Sequence, residues 1–229
     1  MGEKKKKKKD ESTKLVIKVL IVGACVLFVV AMILSAMGSS WLTMFTAVKP
    51  GNTVVIDYTL FDAAGNPLLT TDNALYNQTP TYTSGIVLSR QISFIANQTL
   101  TGSLYPVQIY TPGSGWTKQF ALFSTEYNAI SSGVVGMKTN EKKRISISSA
   151  GSMTQNWSAE QLMNNKVNIS EVNIGDVLAM GVSDTSQVEV SNTSAVTYVR
   201  LGEVVEKSSS GIAVDFGYPV AEVKVVSIK

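Results

Sequence analysis

The sequence predicts an α+β protein: an N-terminal transmembrane helix, then a domain built on an antiparallel sheet with a short helix. Three observations predict it. Leu15 to Met37 is almost unbroken apolar sequence. Thr53–Leu60 and Ala221–Ile228 are rich in β-branched residues, and the latter alternates with period two, the pattern of half-buried strands. Between them Ile130, Val134 and Met137 fall at i, i+4 and i+7, one face of a helix.

Composition removes several chemistries. The 229-residue chain contains no histidine and one cysteine, Cys25. A Ser-His-Asp triad, a Cys-His pair, a His-ligated metal, a thiolate zinc cluster and an intrachain disulfide are therefore excluded, and no cofactor or metal is expected. With 45 % hydrophobic residues the chain has enough apolar side chains for a core.

The net charge of +3 hides an asymmetry. Lys4 to Lys9 and Lys14 make residues 1–14 strongly basic, whereas from Gly38 onward acidic residues outnumber basic ones. A lysine run is one mark of nucleic-acid binding. Here it adjoins the apolar run, so setting topology and meeting anionic lipid are the expected roles, and no nucleic-acid partner is expected. From Val19 to Met37 there is no charge. Nineteen residues reach about 28 Å, against a hydrocarbon core of about 30 Å. A basic tail at 1–14 places that end in the cytoplasm and the C-terminal domain outside, with an anchor over 15–40 and Trp41 and Phe45 at the far interface. A cleaved signal peptide is the alternative, with Ser35-Ala36-Met37-Gly38 as its small-residue site. Five N-x-[ST] sequons, at Asn77, Asn97, Asn156, Asn168 and Asn192, fit an outside, glycosylated surface.

Beyond the anchor, Val48–Asn52 is a turn signal and Thr53–Leu60 a strand. Asp62–Pro67 is a second turn, with Gly65 suited to positive φ, which predicts an antiparallel hairpin. Residues 71–118 carry three prolines, Pro80, Pro106 and Pro112, and read as long loops with short strands. Tyr105, Tyr110 and Trp116 in that stretch are candidates for exposed contacts. Residues 119–124 read as a strand, Tyr127–Met137 as a helix, and Lys142–Ser148 as a half-buried strand whose Lys142-Lys143-Arg144 cluster faces solvent. Ser158–Asn165 reads as a short helix, with Ser158 as N-cap and Gln161 at capping-box spacing. Strands are expected at Val177–Met180, Gln187–Val190, Val196–Val205, Gly211–Phe216 and Ala221–Ile228. Glu203 and Glu206 do not read as a catalytic pair.

The order of these pieces resembles an FKBP-type peptidyl-prolyl isomerase. Lys49–Pro67, KPGNTVVIDYTLFDAAGNP, is similar to that family's opening strand and turn. Gly133–Ile147, GVVGMKTNEKKRISI, is similar to its helix, turn and middle strand. Gly211–Lys229, GIAVDFGYPVAEVKVVSIK, resembles the ending of the SlyD-like branch, in which an insert-in-flap domain interrupts the isomerase domain. The resemblance implies an FKBP-like domain over 41–152 and 211–229 with an insert over 153–210, in a membrane-anchored archaeal type.

Prolyl isomerisation needs no nucleophile. The amide barrier of about 18–20 kcal/mol falls when the X-Pro bond is held twisted in an apolar pocket. The resemblance places pocket positions at Tyr58, Leu69, Tyr127 and Ile130. Tyr58 matches the family's opening-strand tyrosine. The family's Phe-Asp pair after the hairpin falls on Leu68-Leu69, which removes the carboxylate, with Asp72 three residues on. The helix-start aromatic falls near Ile130, with Tyr127 one turn earlier. The flap tyrosine falls near 151–153, where the next aromatic is Trp157, and the last-strand phenylalanine falls near Ala221, after Phe216 and Tyr218. The expected function is a membrane-anchored, extracytoplasmic isomerase or chaperone acting on unfolded or proline-containing clients, with Val177, Leu178, Met180 and Val182 of the insert as a holding surface. The alternative is an inactive FKBP-like surface binding or structural module.

Overall fold

The computed structural model describes residues 3–36, 46–78, 85–148, 153–183 and 197–229. The strand expected at Gln187–Val190, the interface residues Trp41 and Phe45, and the sequon at Asn192 lie outside them. The chain divides into two units, Met1–Phe45 and Thr46–Lys229.

The first unit is helix α1, Glu3–Ala36. Among the described residues no helix is long and apolar enough to cross a membrane, which overturns the expected transmembrane span over 15–40. Helix α1 starts at Glu3, inside the lysine run, rather than at the apolar boundary. From Val19 to Ile33 its side chains are uncharged and exposed.

The second unit carries twelve strands and three short helices among its described residues. Its first sheet has β1 (Thr53–Phe61) as spine. Strand β12 (Val220–Ile228) pairs antiparallel along one side of β1, with Val54 opposite Ile228 and Phe61 opposite Val220. On the other side, β2 (Pro67–Thr70) takes the C-terminal half of β1 and β4 (Ile92–Ile95) the N-terminal half. Strand β7 (Lys142–Ser146) closes the far edge on β12, and β3 (Val87–Leu88) pairs parallel with β2. The β1–β2 hairpin forms as expected, with Gly65 at φ 86° and Asp62 accepting from the Asn66 backbone N–H at 2.7 Å. Helix α2 (Asn73–Gln78) follows β2.

The stretch expected as long loops with short strands holds the short β3 and β4 and also a longer hairpin, β5 (Leu104–Thr111) and β6 (Gly115–Phe123). Its turn uses Gly113 and Gly115 at positive φ, a conformation glycine adopts without steric cost. Pro106 is tolerated because β5 lies at a sheet edge, where a missing N–H costs least. Strand β6 runs directly into helix α3 (Ser124–Gly133).

The second sheet runs β5-β6-β10-β11-β8, with β9 also on β10. Here β8 is Thr154–Ser158, β9 Val177–Ser183, β10 Thr197–Lys207 and β11 Gly211–Asp215. Two corrections follow to the expected antiparallel sheet with a separate β-rich insert. Parallel pairs occur in both sheets, β2–β3 and β6–β10. The described strands within 153–210, β8, β9 and β10, also share their sheet with the β5–β6 hairpin. Helix α4 (Ala159–Asn164) has the expected capping box: the Gln161 N–H donates to Ser158 Oγ at 3.2 Å, and the Ser158 N–H to Gln161 Oε1 at 2.9 Å.

Two apolar cores result. The larger joins the first sheet and α3 to Val107, Ile109, Phe120 and Leu122 of the hairpin. The smaller gathers Leu162, Val172, Val204, Ile212, Val214 and Phe216. Between these layers lies a buried ion pair. Arg200 of β10 is fully buried and Glu126 of α3 is 2 % exposed. The guanidinium grips the carboxylate through both terminal nitrogens, one at 2.9 Å. It also donates to the Ala121 carbonyl at 3.0 Å and the Phe216 carbonyl at 2.8 Å. Tyr218, Phe123 and Phe120 surround it, with ring centroids 3.7, 4.3 and 5.6 Å away. Burial opposes the charge, but Glu126 chiefly outweighs that and holds the guanidinium pKa above its ordinary value.

Replacing Arg200 with methionine strands a carboxylate in the core. Urea unfolding of Arg200→Met is expected to show a loss of about 3–5 kcal/mol, with part recovered when Glu126→Leu is added. An Arg200→Met midpoint equal to that of the parent would show that the pair holds nothing together.

Candidate functional site

The positions expected to form a prolyl pocket all lie in the larger core. Tyr58 points inward from β1, and Leu69 lies on β2 opposite Leu60. Tyr127 and Ile130 sit on α3, one helical turn apart. Their exposures are 2, 0, 6 and 1 % respectively, and Leu68 is 1 % exposed. The structure therefore brings Tyr58, Leu69, Tyr127 and Ile130 into one cluster, but as packed core rather than as the walls of an open cleft. Ala221 belongs to the same core and adds no ring.

Tyr58 is also chemically committed. Its hydroxyl lies 2.6 Å from Ser89 Oγ, which in turn donates to the Gln108 carbonyl at 3.1 Å. Burial, ahead of any other cause, pushes its phenol well above the ordinary tyrosine range, so the group stays neutral. A buried hydroxyl already bonded within the fold is not free to meet a ligand carbonyl without leaving Ser89 short of a partner.

An aromatic group does assemble at the α3 end of this core. Tyr127 stacks on Tyr105 at 4.7 Å and meets Phe94 edge-on at 5.8 Å. Tyr105, half-buried, donates its hydroxyl to the Ser93 carbonyl at 3.2 Å. Burial raises the phenol pKa of both tyrosines. Sequence reasoning missed Phe94, although Ile92-Ser93-Phe94 alternates as a strand should; it missed Ser89 because no local pattern marks a hydroxyl destined for a core hydrogen bond. Asp72, three residues after Leu69, accepts from the Ala74 and Leu75 backbone N–H groups at 2.8 and 3.3 Å and caps α2. It fills no pocket position.

Of the remaining candidates, Tyr110 and Trp116 are exposed at 41 and 38 %, as expected, but on the β5–β6 hairpin. Lys142, Lys143 and Arg144 face solvent. The sequon asparagines Asn77, Asn97, Asn156 and Asn168 are exposed, on α2, a turn at φ 62°, β8 and a loop respectively. Leu178 and Met180 pack against the smaller core and Val177 against the larger, so these three serve the fold's interior. No group of metal-ligating side chains occurs among the described residues. Comparison with protein-family models finds no match, and comparison with curated proteins finds none.

One carboxylate is held under tension. Glu203 on β10 has a raised pKa, first because of burial and then because Asp62 and Asp215 lie near it. Its folded pKa exceeds its unfolded value, so folding is favoured as pH falls through that window and disfavoured above it. Glu203→Gln is expected to raise the melting temperature at pH 7, and the difference should vanish near pH ~3, where both states are protonated. An unchanged or lowered melting temperature at pH 7 would contradict this.

Proposed function

We propose that the Thr46–Lys229 unit is an FKBP-like module that binds rather than catalyses. The observation that carries this reading is the burial of the pocket positions: Tyr58, Leu69 and Ile130 are at most 2 % exposed. Twisting an X-Pro bond requires the bond to enter an apolar cavity. Here the equivalent space is occupied by Leu68, Leu69, Ile130 and the inward residues of the β5–β6 hairpin. The missing carboxylate at Leu69 and the missing ring at Ala221 point the same way. The FKBP-like reading itself rests on the three sequence stretches and is supported by the central placing of β12 between β1 and β7.

A second reading keeps prolyl-isomerase and chaperone activity on proline-containing clients. The Phe94–Tyr105–Tyr127 ring group favours it, because Tyr105 is the half-buried member and its movement would bare Tyr127. A refolding assay separates the two. With the full-length chain added to a protein whose refolding is limited by proline isomerisation, the rate is expected to stay unchanged, even at equimolar chain. Acceleration that Tyr105→Ala enhances and Tyr127→Ala abolishes would overturn the non-catalytic reading in favour of the second.

A further inference from the structure

The sequons are a motif that the binding-module reading leaves unused. Asn97, Asn156 and Asn168 head the ones that lie wholly within the described residues. Attaching a glycan requires the asparagine amide and the hydroxyl two residues on to be offered together at the surface. The fold ties two of the three down. The Asn97 N–H donates to the Ser131 carbonyl at 2.9 Å, and the Gln98 carbonyl accepts from Ser131 Oγ at 3.0 Å, so that turn is held on α3. Asn156 lies in β8, paired along β11, and Trp157 packs against the smaller core. The Ser158 hydroxyl is taken by the Gln161 N–H in the cap of α4.

Asn168-Ile169-Ser170 differs. Asn168 and Ser170 are exposed. Ser170 Oγ donates to Asn168 Oδ1 at 2.8 Å, and the Ser170 N–H donates to the same oxygen at 3.1 Å. Asn168 Nδ2 donates to Glu171 Oε1 at 2.9 Å, and the Glu171 N–H donates to the Asn168 carbonyl at 3.0 Å. Among the described residues, the hydrogen bonds of Asn168 and Ser170 thus stay within residues 168–171. The amide and the hydroxyl stand side by side, and no strand or helix has to open to release them.

The surface beside the loop suits what would be attached. Ile169 and Ser170 line a hollow of about 680 Å³ together with Asn173, Ile174, Lys207 and Ser209. Ile174 is 65 % exposed. A lone exposed isoleucine is ordinary. This one shares a hollow with hydroxyls, an amide and an ammonium group, and a sugar ring carries the matching mixture of C–H faces and hydroxyls. We infer that Asn168 is an N-glycosylation site and that the first sugars of its glycan lie in this hollow, a C–H face over Ile174 and hydroxyls toward Asn173, Lys207 and Ser209. The donor is an oligosaccharide carried on a polyprenyl pyrophosphate. Asn168 Nδ2 forms a bond to the anomeric carbon as the anomeric C–O bond breaks. The pyrophosphate leaves with that electron pair, and one Nδ2 proton passes to the transferase. The site uses none of the pocket positions, so its failure would leave the binding-module reading intact, and an active isomerase would leave the site standing.

The test is incubation of the folded full-length chain, and of free peptides spanning the same three sequons, with an oligosaccharyltransferase and a polyprenyl-pyrophosphate oligosaccharide. Occupancy is read by peptide mass spectrometry. Scaled to its own peptide, Asn168 is expected to be modified at least about fivefold faster than Asn97 or Asn156. Ser170→Ala is expected to abolish modification at Asn168 alone. Hydroxyl-radical labelling of Ile174 is expected to fall several-fold on glycosylation, while labelling of Ile95, 41 % exposed on the first sheet, stays unchanged. An Asn168 left bare in the folded chain, or modified no faster than the other two, would overturn the site. Ile174 labelled equally with and without the glycan, or already protected in the bare chain by a second copy, would overturn the seating of the sugars.

Discussion

The Arg200–Glu126 pair is the constraint around which the second unit is arranged. A guanidinium at zero exposure is tolerated only if its charge and its donors are met inside the fold. Meeting them requires four pieces of chain to converge: β10 for the arginine, the first turn of α3 for the carboxylate, the end of β6 for the Ala121 carbonyl, and the segment after β11 for the Phe216 carbonyl. The same convergence fixes where β6 and β10 can meet, and they meet as a short parallel contact at Phe120 and Val199. Apolar burial supplies most of the free energy of such a unit. The ion pair selects which of its possible packings satisfies every polar group.

That arrangement also accounts for the filled pocket. The hairpin β5–β6 enters between β4 and α3 in the chain, and its inward side chains pack against Tyr58, Ile130 and Tyr127 in the larger core. A cavity there would cost the contacts that close packing provides. The ring group at Tyr127 is therefore part of the wall and not of an opening.

Much of the fold was legible wherever a local rule was strong enough to stand alone. The alternating, β-branched ends at β1 and β12, the Asp62–Pro67 turn and the Ser158/Gln161 box each specify their structure within a few residues. The β5–β6 hairpin was not legible because Pro106 and the Pro112-Gly113 pair read as breakers, and a register shift between Val107 and Ile109 interrupts its alternation. Helix α3 begins at Ser124 and ends at Gly133, earlier than its apolar spacing suggested, since Val134 and Met137 pack from the turn that follows. The membrane span was inferred from an uncharged apolar run with lysines before it and aromatics after it, none of which says where the helix starts. The site was least legible. Residues matched by resemblance to pocket positions reached the right cluster, but whether a cluster is a cleft or a core depends on distant chain filling it, here the hairpin. The Arg200–Glu126 pair left no sequence signal, because its members are 74 residues apart.

The placing of β12 has a consequence for how the protein is made. The strand lies inside the first sheet, between β1 and β7, and its Lys229 exchanges two backbone hydrogen bonds with Thr53. A chain emerging from the ribosome therefore presents β1 long before its main partner exists. Until Val220–Ile228 has left the exit tunnel, one edge of β1 is an unpaired, β-branched strand, the kind of surface that nascent chains must keep from their neighbours. Until that strand is available, the seam it fills between β1 and β7 stays open.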